Sequence, residues 1–510
     1  MSKRKKIAIG VVVALVLMVL GLAIIVPLFF NVDRFRPQVA AQIQEATGKP
    51  CQIGRLALTI LPRVAIRVDD FSLGNPPGFP AGDFVKTKEI YAVVDGMALL
   101  HRDVEITKLE LDDLSLDLLQ DAQGKWNYAS PPPKASVAPA PSPAQGGGPS
   151  VKLGTISRLT VEHGQFQAAN LLPSGERGPS LMDIHGASID LHDVNLSAVT
   201  TASALAPPPA PGEFAALAGT FNTVVYADDA TGPAVAQGNI KLDTAQFGPL
   251  AVSKLKSKFH LYPQQVFFDD LELKCYQGSA KGNLSLNFGG PHLSYFVDAK
   301  IKGVKVEEFM AAFPQTRGMM TGTLDGSVKM SGLVTQAPDP LVGVNGSGRA
   351  SIRNGRMPSL QLDSNLRELA RITGVGPANG DPSSFSSLSA DFRVADARLS
   401  SNKISLVGNG VDVDGAGSMT MAGDGTLDYT GDASLAAGKN PLGGMLGEMA
   451  GARYADGKLT FPFAVGGTIA KPKFSLKGGG AGKVTPTPAN VERDINTMRG
   501  IAGLFKKKKQ

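Results

Sequence analysis

Apolar and polar residues alternate along most of this sequence with a period of two. Successive side chains of a β-strand point to opposite faces, so this period predicts half-buried strands with one apolar face and one polar face. Short breaks separate the runs, and each break predicts a turn or bulge that resets the face on which the apolar residues lie. The apolar residues that this pattern places on the lining face are Leu56, Leu58, Ile60, Val266, Phe268, Leu284, Leu286, Phe288, Val297 and Ile301.

The predicted strands outnumber the predicted helices by far. They number on the order of 25, and side by side at roughly 4.8 Å each they would form an antiparallel sheet about 100 Å long. A sheet with one apolar face needs a cover, which is a second sheet, closure on itself, or something apolar lying on it. Few helices are available as that cover. The pattern alone leaves open whether the face is a filled core or an open groove.

Three short helices are predicted. Phe35, Val39 and Ile43 recur every four residues, and Gly48 follows as a C-cap, which together indicate one amphipathic helix. The other two helices are predicted at 304–313 and 360–372.

An uninterrupted apolar run extends from Ile7 to Phe30. As a helix it would be roughly 36 Å long, enough to cross a hydrocarbon core of about 30 Å. Lys3, Arg4, Lys5 and Lys6 precede the run, so the positive-inside rule places the N-terminus in the cytosol and residues 31–510 on the other side. The alternative is a cleaved secretory signal, but the run is long for one and lacks a small-x-small cleavage site.

The net charge of +6 and the pI of about 9.1 come mostly from the two ends of the chain. The basic residues cluster before the apolar run and at Lys506 to Lys509, and the middle is near neutral. This is weak evidence for a nucleic-acid partner, and we expect none. Charged residues make up 19% of the chain, below the usual quarter.

Changes in composition divide the chain into segments. Residues 129–150 are rich in Pro, Ala and Gly and have almost nothing apolar to bury, so they form a linker. The predicted segments are a cytoplasmic basic segment (1–6), the membrane anchor (7–30), an N-terminal β region (31–128), the linker (129–150), a middle β region (151–303) with a short proline linker at 204–212, a C-terminal β region (304–476) and a basic tail (477–510).

The tail has apolar residues near helical spacing from Val491 to Phe505. Its polar side would carry basic residues, which predicts a basic amphipathic helix on an anionic membrane surface; a solvated disordered end is the alternative. The residues assigned to the membrane surface are Arg493, Arg499, Lys506, Lys507, Lys508 and Lys509.

The sequence contains little that could support catalysis. The six histidines are scattered without metal-ligand spacing, and nucleophile-elbow, P-loop and zincin motifs are absent. The acidic pairs Asp69-Asp70, Asp112-Asp113 and Asp269-Asp270 are attributed to turns rather than to acid–base chemistry. Cys51 and Cys275 could pair or remain separate thiols. We therefore expect no enzyme activity, metal or cofactor.

Several segments, taken in order, resemble a known family. They are TGKPCQIGRLALTILPRVAIRVDDFSLGN after the first helix, KLELDDLSLDLLQDAQGKWNY with its Gly-Lys-Trp-Asn element, and a C-terminal series from VEEFMAAF and GTLDGSVKMSG to FPFAVGGTIAKPKFSLK. Together they resemble the AsmA family of bacterial cell-envelope proteins, which is related to the bridge-like lipid transfer proteins. The resemblance covers roughly 1–128 and 300–476, while 150–280 resembles the family only in general style.

The resemblance implies a protein anchored in the bacterial inner membrane, with most of its chain in the periplasm. It further implies an elongated, twisted, taco-like β groove that holds or conducts phospholipids and supports outer-membrane assembly and envelope integrity. The inner membrane, phospholipids and other envelope proteins would be its partners. A non-enzymatic assembly scaffold or regulator that binds proteins, with a filled core, is the alternative.

Overall fold

The computed structural model of the chain describes residues 32–60, 63–96, 98, 103–129, 150–152, 155–195, 234–287, 294–333, 343–358, 383–409, 411–420, 425–436, 453–468 and 471–476. In these residues the protein is mainly β with two short α-helices, which confirms the predicted class. The predicted anchor (7–30), the helix at 360–372, the linker at 204–212 and the basic tail lie outside the described residues, as does nearly all of the linker at 129–150. No described helix is long and apolar enough to cross a membrane.

The first helix, α1 (Arg36–Thr47), follows a 3-10 turn (Val32–Phe35) and has a proline in its first turn. It ends at Gly48, whose φ of 68° is left-handed and whose N–H donates to the carbonyl of Gln44. Phe35, Val39 and Ile43 are half-buried, as the spacing predicted. The N–H of Leu56 donates to Asp33 at 2.9 Å, which ties the start of this segment to the first strand.

The chain divides into two compact units. The first consists of Met1–Leu205 with Asp228–Lys274, and the second of Ala206–Ala227 with Cys275–Gln510. The strands of the first unit are β1 (Cys51–Thr59), β2 (Ala65–Gly74), β3 (Asp83–Val94), β4 (Asp103–Asp112), β5 (Ser115–Gln120), β6 (Ser150–Lys152), β7 (Thr155–Leu171), β8 (Arg177–Asn195), β9 (Ala236–Phe247), β10 (Leu250–Tyr262) and β11 (Gln265–Cys275).

The ladder of the first unit runs β1–β2–β3, continues through β4 and β5 to β7, and then runs β8–β9–β10–β11. β4 and β5 pair with β7 in parallel, and β4 also pairs in parallel with β6. The predicted purely antiparallel sheet is therefore wrong here, and the sheet is mixed. Parallel neighbours need a connection of a dozen or more residues, and the segment that contains 129–150 supplies that length.

The strands of the second unit are β12 (Gly278–Asn287), β13 (Ser294–Lys305), β14 (Thr321–Leu333), β15 (Asn345–Arg356), β16 (Ser384–Ala395), β17 (Arg398–Gly408), β18 (Val411–Thr420), β19 (Leu427–Ala436), β20 (Arg453–Ala455), β21 (Lys458–Gly467) and β22 (Pro472–Leu476). They pair antiparallel throughout the described residues, with β19 and β20 both pairing with β21. The helix α2 (Val306–Ala311) follows β13, inside the predicted range 304–313.

Residues with left-handed backbone mark the breaks in the alternation. Asp70, Asp113 and Asp270, the second members of the three acidic pairs, have φ of 52°, 51° and 51°. His163 and Lys254 have φ of 55° and 50°. Aspartate tolerates this conformation better than most residues, so the acidic pairs have a conformational role. Asp70 and Asp270, however, lie inside β2 and β11 and not in turns as the sequence predicted.

These breaks lie beside one another across the first unit, in a line that we call the crease: Asp70, Asp113, His163, Gly186 and Lys254. Across the crease, successive apolar residues of a strand are three positions apart instead of two. Three such pairs, one in each of β8, β9 and β10, share a single packed cluster: Ile184 with Ala187, Leu242 with Ala245, and Val252 with Leu255. The breaks therefore return the apolar residues to the same face.

Buried hydroxyl groups satisfy backbone carbonyls at two acidic pairs. Thr87 is 1% exposed and donates to the carbonyl of Asp112 at 2.7 Å. Ser257 is 6% exposed and donates to the carbonyl of Asp269 at 2.8 Å. A break in a strand leaves polar backbone groups without their regular ladder partner, so each hydroxyl replaces a missing hydrogen bond.

The Gly-Lys-Trp-Asn element is held by its last residue. Asn127 is fully buried, accepts a hydrogen bond from the N–H of Leu119 at 3.0 Å, and donates to Asn75 at 2.8 Å and to the carbonyl of Asp117 at 2.7 Å. This one amide joins the end of β5 to the loop after β2. The element therefore stabilises the first unit by joining these two parts of it.

Replacing Thr87 by valine should lower the free energy of unfolding by about 1–3 kcal/mol. Valine keeps the shape but leaves the carbonyl of Asp112 without its donor. The measurement is urea unfolding followed by circular dichroism. The control is Thr155→Val, at an exposed position of β7, which should change stability by less than about 0.5 kcal/mol. Equal stability of the two variants would contradict the assigned role of the hydroxyl.

Candidate functional site

An apolar row crosses nine strands of the first unit. Residues that pair directly across neighbouring strands lie on the same face of a sheet. Starting at β1 and ending at β11, the row consists of Leu58, Ile66, Ala92, Leu109, Leu159, Leu191, Gly238, Phe259 and Phe268.

The second unit has an equivalent row. From β14 to β21 it consists of Leu324, Ile352, Leu388, Leu406, Val413, Ala433 and Phe461. We call the face that carries such a row the apolar face of its unit. The structure brings into each row residues that the sequence prediction did not include, because their membership depends on strand register.

The predicted lining residues lie on these apolar faces. Leu56 and Leu58 pair with Val68 and Ile66, and Phe268 pairs with Phe259. Val266 pairs with Leu261, and Ile60 lies just beyond the end of β1. In the second unit Leu284 pairs with Val297, Leu286 with Tyr295, and Ile301 with Ala280. Phe288 lies outside the described residues.

The predicted lining residues are mostly only half-buried. Among the nine that the structure describes, Val266 is buried and the other eight keep intermediate exposure. A face packed against a second sheet would bury side chains of this size almost completely. These side chains therefore remain accessible within the described residues.

The packing of the apolar faces differs from one part of a face to another. In the described part of the chain, the backbone of each strand lies close mainly to its ladder neighbours, and the helices lie close to the strands or turns beside them. The packed clusters follow this rule. One of them joins Val411, Leu435, Leu459 and Phe461 along the neighbouring strands β18, β19 and β21. Leu459 is 0% and Phe461 is 2% exposed, so the face is closed at this cluster, whereas the predicted lining residues elsewhere stay half-buried.

The opposite face of the second unit is polar and carries ion pairs between neighbouring strands. Lys329 lies 2.9 Å from Asp298 across β14 and β13. Arg349 lies 2.7 Å from Asp391 across β15 and β16. Because these groups are exposed, the pairs contribute little to stability, but they show that this face is turned toward water.

The polar face of the first unit has a concavity of about 530 Å³, lined by residues of β7 to β11. Its charged groups are largely paired: Arg158 with Asp190 at 2.8 Å, and Lys256 with Glu272 at 2.8 Å. An apolar ligand would find few partners there. The concavity does not lie on the apolar face.

Three potential metal ligands come together at the crease. Donor atoms of Asp112, Asp113 and His163 lie within 4.8 Å of one another, a grouping that was not predicted from the sequence. Asp112 and His163 hydrogen-bond directly, with 2.8 Å between Oδ1 and Nδ1, and Lys88 lies 4.0 Å from Asp113. These partners make the group an exposed ion-pair network. Cys51 and Cys275 are both free thiols.

The Asp112–His163 pair has a definite pH dependence. The hydrogen bond raises the pKa of His163 and lowers the pKa of Asp112. The raised histidine pKa contributes stability that is fully present below about pH 6.5 and is lost as the pH rises through the folded-state value. The lowered carboxyl pKa contributes stability present above about pH 3.9 and lost as the pH falls. The pair is therefore most stabilising between these limits.

We expect His163 to titrate above the ordinary histidine value, and Asp112→Asn to move it back down. The measurement is the pH dependence of hydrogen–deuterium exchange at the imidazole C2 position of His163, followed by mass spectrometry of its peptide. The Asp112→Asn variant is the matched control because it keeps the shape of the side chain and removes its charge. An identical titration in both proteins would rule out the pairing.

Comparison with known proteins gives a family but no individual relative. The model of the AsmA family matches residues 1–146 and 153–404, which includes the region from 153 to 280 that resembled the family only in style. No curated protein and no solved structure matches the chain. The family match covers well over half of the sequence, so this protein belongs to the AsmA family.

Proposed function

We propose that the protein holds or conducts phospholipids, with their acyl chains on the apolar faces, as an inner-membrane-anchored protein of the bacterial periplasm. Its N-terminus would be cytoplasmic, and its role would be to support outer-membrane assembly and envelope integrity. In this proposal the faces form a twisted, elongated groove, and the protein has no enzyme activity, cofactor or nucleic-acid partner. Family membership supports an envelope role.

The observation that carries the proposal is the long apolar face, on which most of the predicted lining residues are only half-buried. Nine strands separated by about 4.8 Å give the row of the first unit a span of about 40 Å. Exposed apolar patches on monomeric proteins rarely exceed a few hundred Å², and each Å² exposed to water costs about 25 cal/mol. A face of this extent is therefore favourable only with an apolar occupant.

The chemistry of the face suits hydrocarbon chains. The row of the second unit, from Leu324 to Phe461, contains no charged or hydrogen-bonding side chain. The backbone groups of its strands are already paired in the ladder. A ligand on this face gains chiefly from apolar burial, which is not directional. Acyl chains meet that condition without leaving polar groups unpaired.

Photo-crosslinking in intact cells tests the proposal. Benzoylphenylalanine in place of Val297, on the apolar face of β13, should crosslink to phospholipid, as seen by mass spectrometry of the purified protein. The same group in place of Ser327, which is exposed on the polar face between Lys300 and Arg349, should not. Absence of lipid at both positions, with an intact fold, would contradict lipid binding and favour the scaffold alternative.

A charge placed on the apolar face should reduce lipid binding. With the crosslinker at position 297, Leu286→Asp should lower the yield by about tenfold or more, because an unpaired carboxylate resists contact with hydrocarbon. Ser327→Asp is the control, since it adds the same charge on the polar face beside Lys300 and Arg349. Limited proteolysis of each variant reports on the fold. Unfolding by Leu286→Asp would indicate a filled core instead of an open face.

A further inference from the structure

Three half-buried aromatic rings of the second unit lie over glycines of a neighbouring strand; a fourth ring, Phe385 beside Gly355, is buried in a packed cluster. Tyr295 pairs directly with Gly332, and Phe392 pairs with Gly348. Tyr429 pairs with Gly417 in the same way. Direct partners share a face, and here it is the apolar face, on which Tyr295 also pairs with Leu286.

Each ring occupies the space that a side chain would otherwise fill. At Gly332 the position of a Cβ atom would lie 2.8 Å from the Tyr295 Oη and 2.9 Å from its Cε1 and Cζ. At Gly348 it would lie 2.5 Å from the Phe392 Cζ, and at Gly417 it would lie 2.5 Å from the Tyr429 Cδ1. The rings therefore lie across the neighbouring strand instead of standing upright from their own.

This arrangement changes the height of the apolar face. An upright tyrosine or phenylalanine would project from the sheet, whereas a ring seated over glycine adds little to its surface. The half-buried state of Tyr295, Phe392 and Tyr429 agrees with a seated position. Burial also raises the pKa of the Tyr295 and Tyr429 hydroxyls.

We infer that Gly332, Gly348 and Gly417 hold these rings down, and that the seated rings set the depth available to acyl chains on the second unit. The inference rests on the proposed lipid function. The three glycines and their rings would then determine the thickness of the apolar ligand that the face accepts. Selectivity would then depend on the volume above the sheet and not on a polar contact.

Gly332 offers the cleanest test among the three glycines. Its three nearest atoms all belong to the Tyr295 ring, which can move. The Cβ positions of Gly348 and Gly417 also meet backbone oxygens, those of Ser327 and Asp428, so substitution there would disturb the ladder itself. Gly332→Ala should therefore displace the ring and leave the strands in place.

The experiment uses the full chain in cells, with the crosslinker at position 297. Gly332→Ala should lower the phospholipid crosslinking yield by about tenfold, because a raised ring overfills the face. The matched control is Gly466→Ala, which adds the same methyl group on the polar face of β21, where the nearest atom is 3.9 Å away. Its yield should equal that of the wild type.

The double variant Gly332→Ala with Tyr295→Ala separates ring displacement from damage to the fold. Removing the ring should restore the yield, and failure to restore it would overturn the inference. An unchanged yield in Gly332→Ala would also overturn the inference while leaving lipid binding intact, whereas absence of lipid in the wild type would overturn both. If Gly332→Ala does not fold, Tyr295→Ala alone decides: the inference requires at least the wild-type yield, and a loss contradicts it.

Discussion

The structure depends on every strand returning its apolar side chains to one face. A strand with an uninterrupted period of two does this automatically, but the strands of the first unit bend at the crease, where the period changes from two to three. In β8 and β10 a single left-handed residue, Gly186 or Lys254, makes the change, at a cost of roughly 1–2 kcal/mol for residues other than glycine. Neighbouring strands break beside one another, because an unmatched break would turn one strand's apolar residues toward water.

This constraint explains what could be predicted from the sequence. The alternation is local, so it predicted the strands and which of their residues share an apolar face, and the acidic pairs marked Asp70, Asp113 and Asp270 as breaks. The parallel pairing of β4 and β5 with β7 could not be predicted, because it depends on the path of a long linker. The position of the Tyr295 ring over Gly332 could not be predicted either, because it depends on the register between two strands.

The polar side chains inside the sheet have structural tasks that the sequence does not reveal. Thr87 and Ser257 replace hydrogen bonds that the breaks remove, and Asn127 joins a strand end to a distant loop. Each of these side chains is buried, so losing its partner would cost far more than an exposed ion pair such as Arg349 with Asp391 contributes. The breaks that keep the face apolar are therefore stabilised by neutral hydrogen bonds.

Where the lining side chains are only half-buried, about half of their burial is left to an outside partner. Contacts along the ladder supply the other half, which explains why most of the lining residues are neither buried nor exposed. A protein partner would have to match a large, nearly featureless surface and would gain few polar contacts from it. Hydrocarbon chains need only apolar area and room above the sheet. The glycines beneath Tyr295, Phe392 and Tyr429 provide that room, so the same register that aligns the strands also fixes the depth of the face.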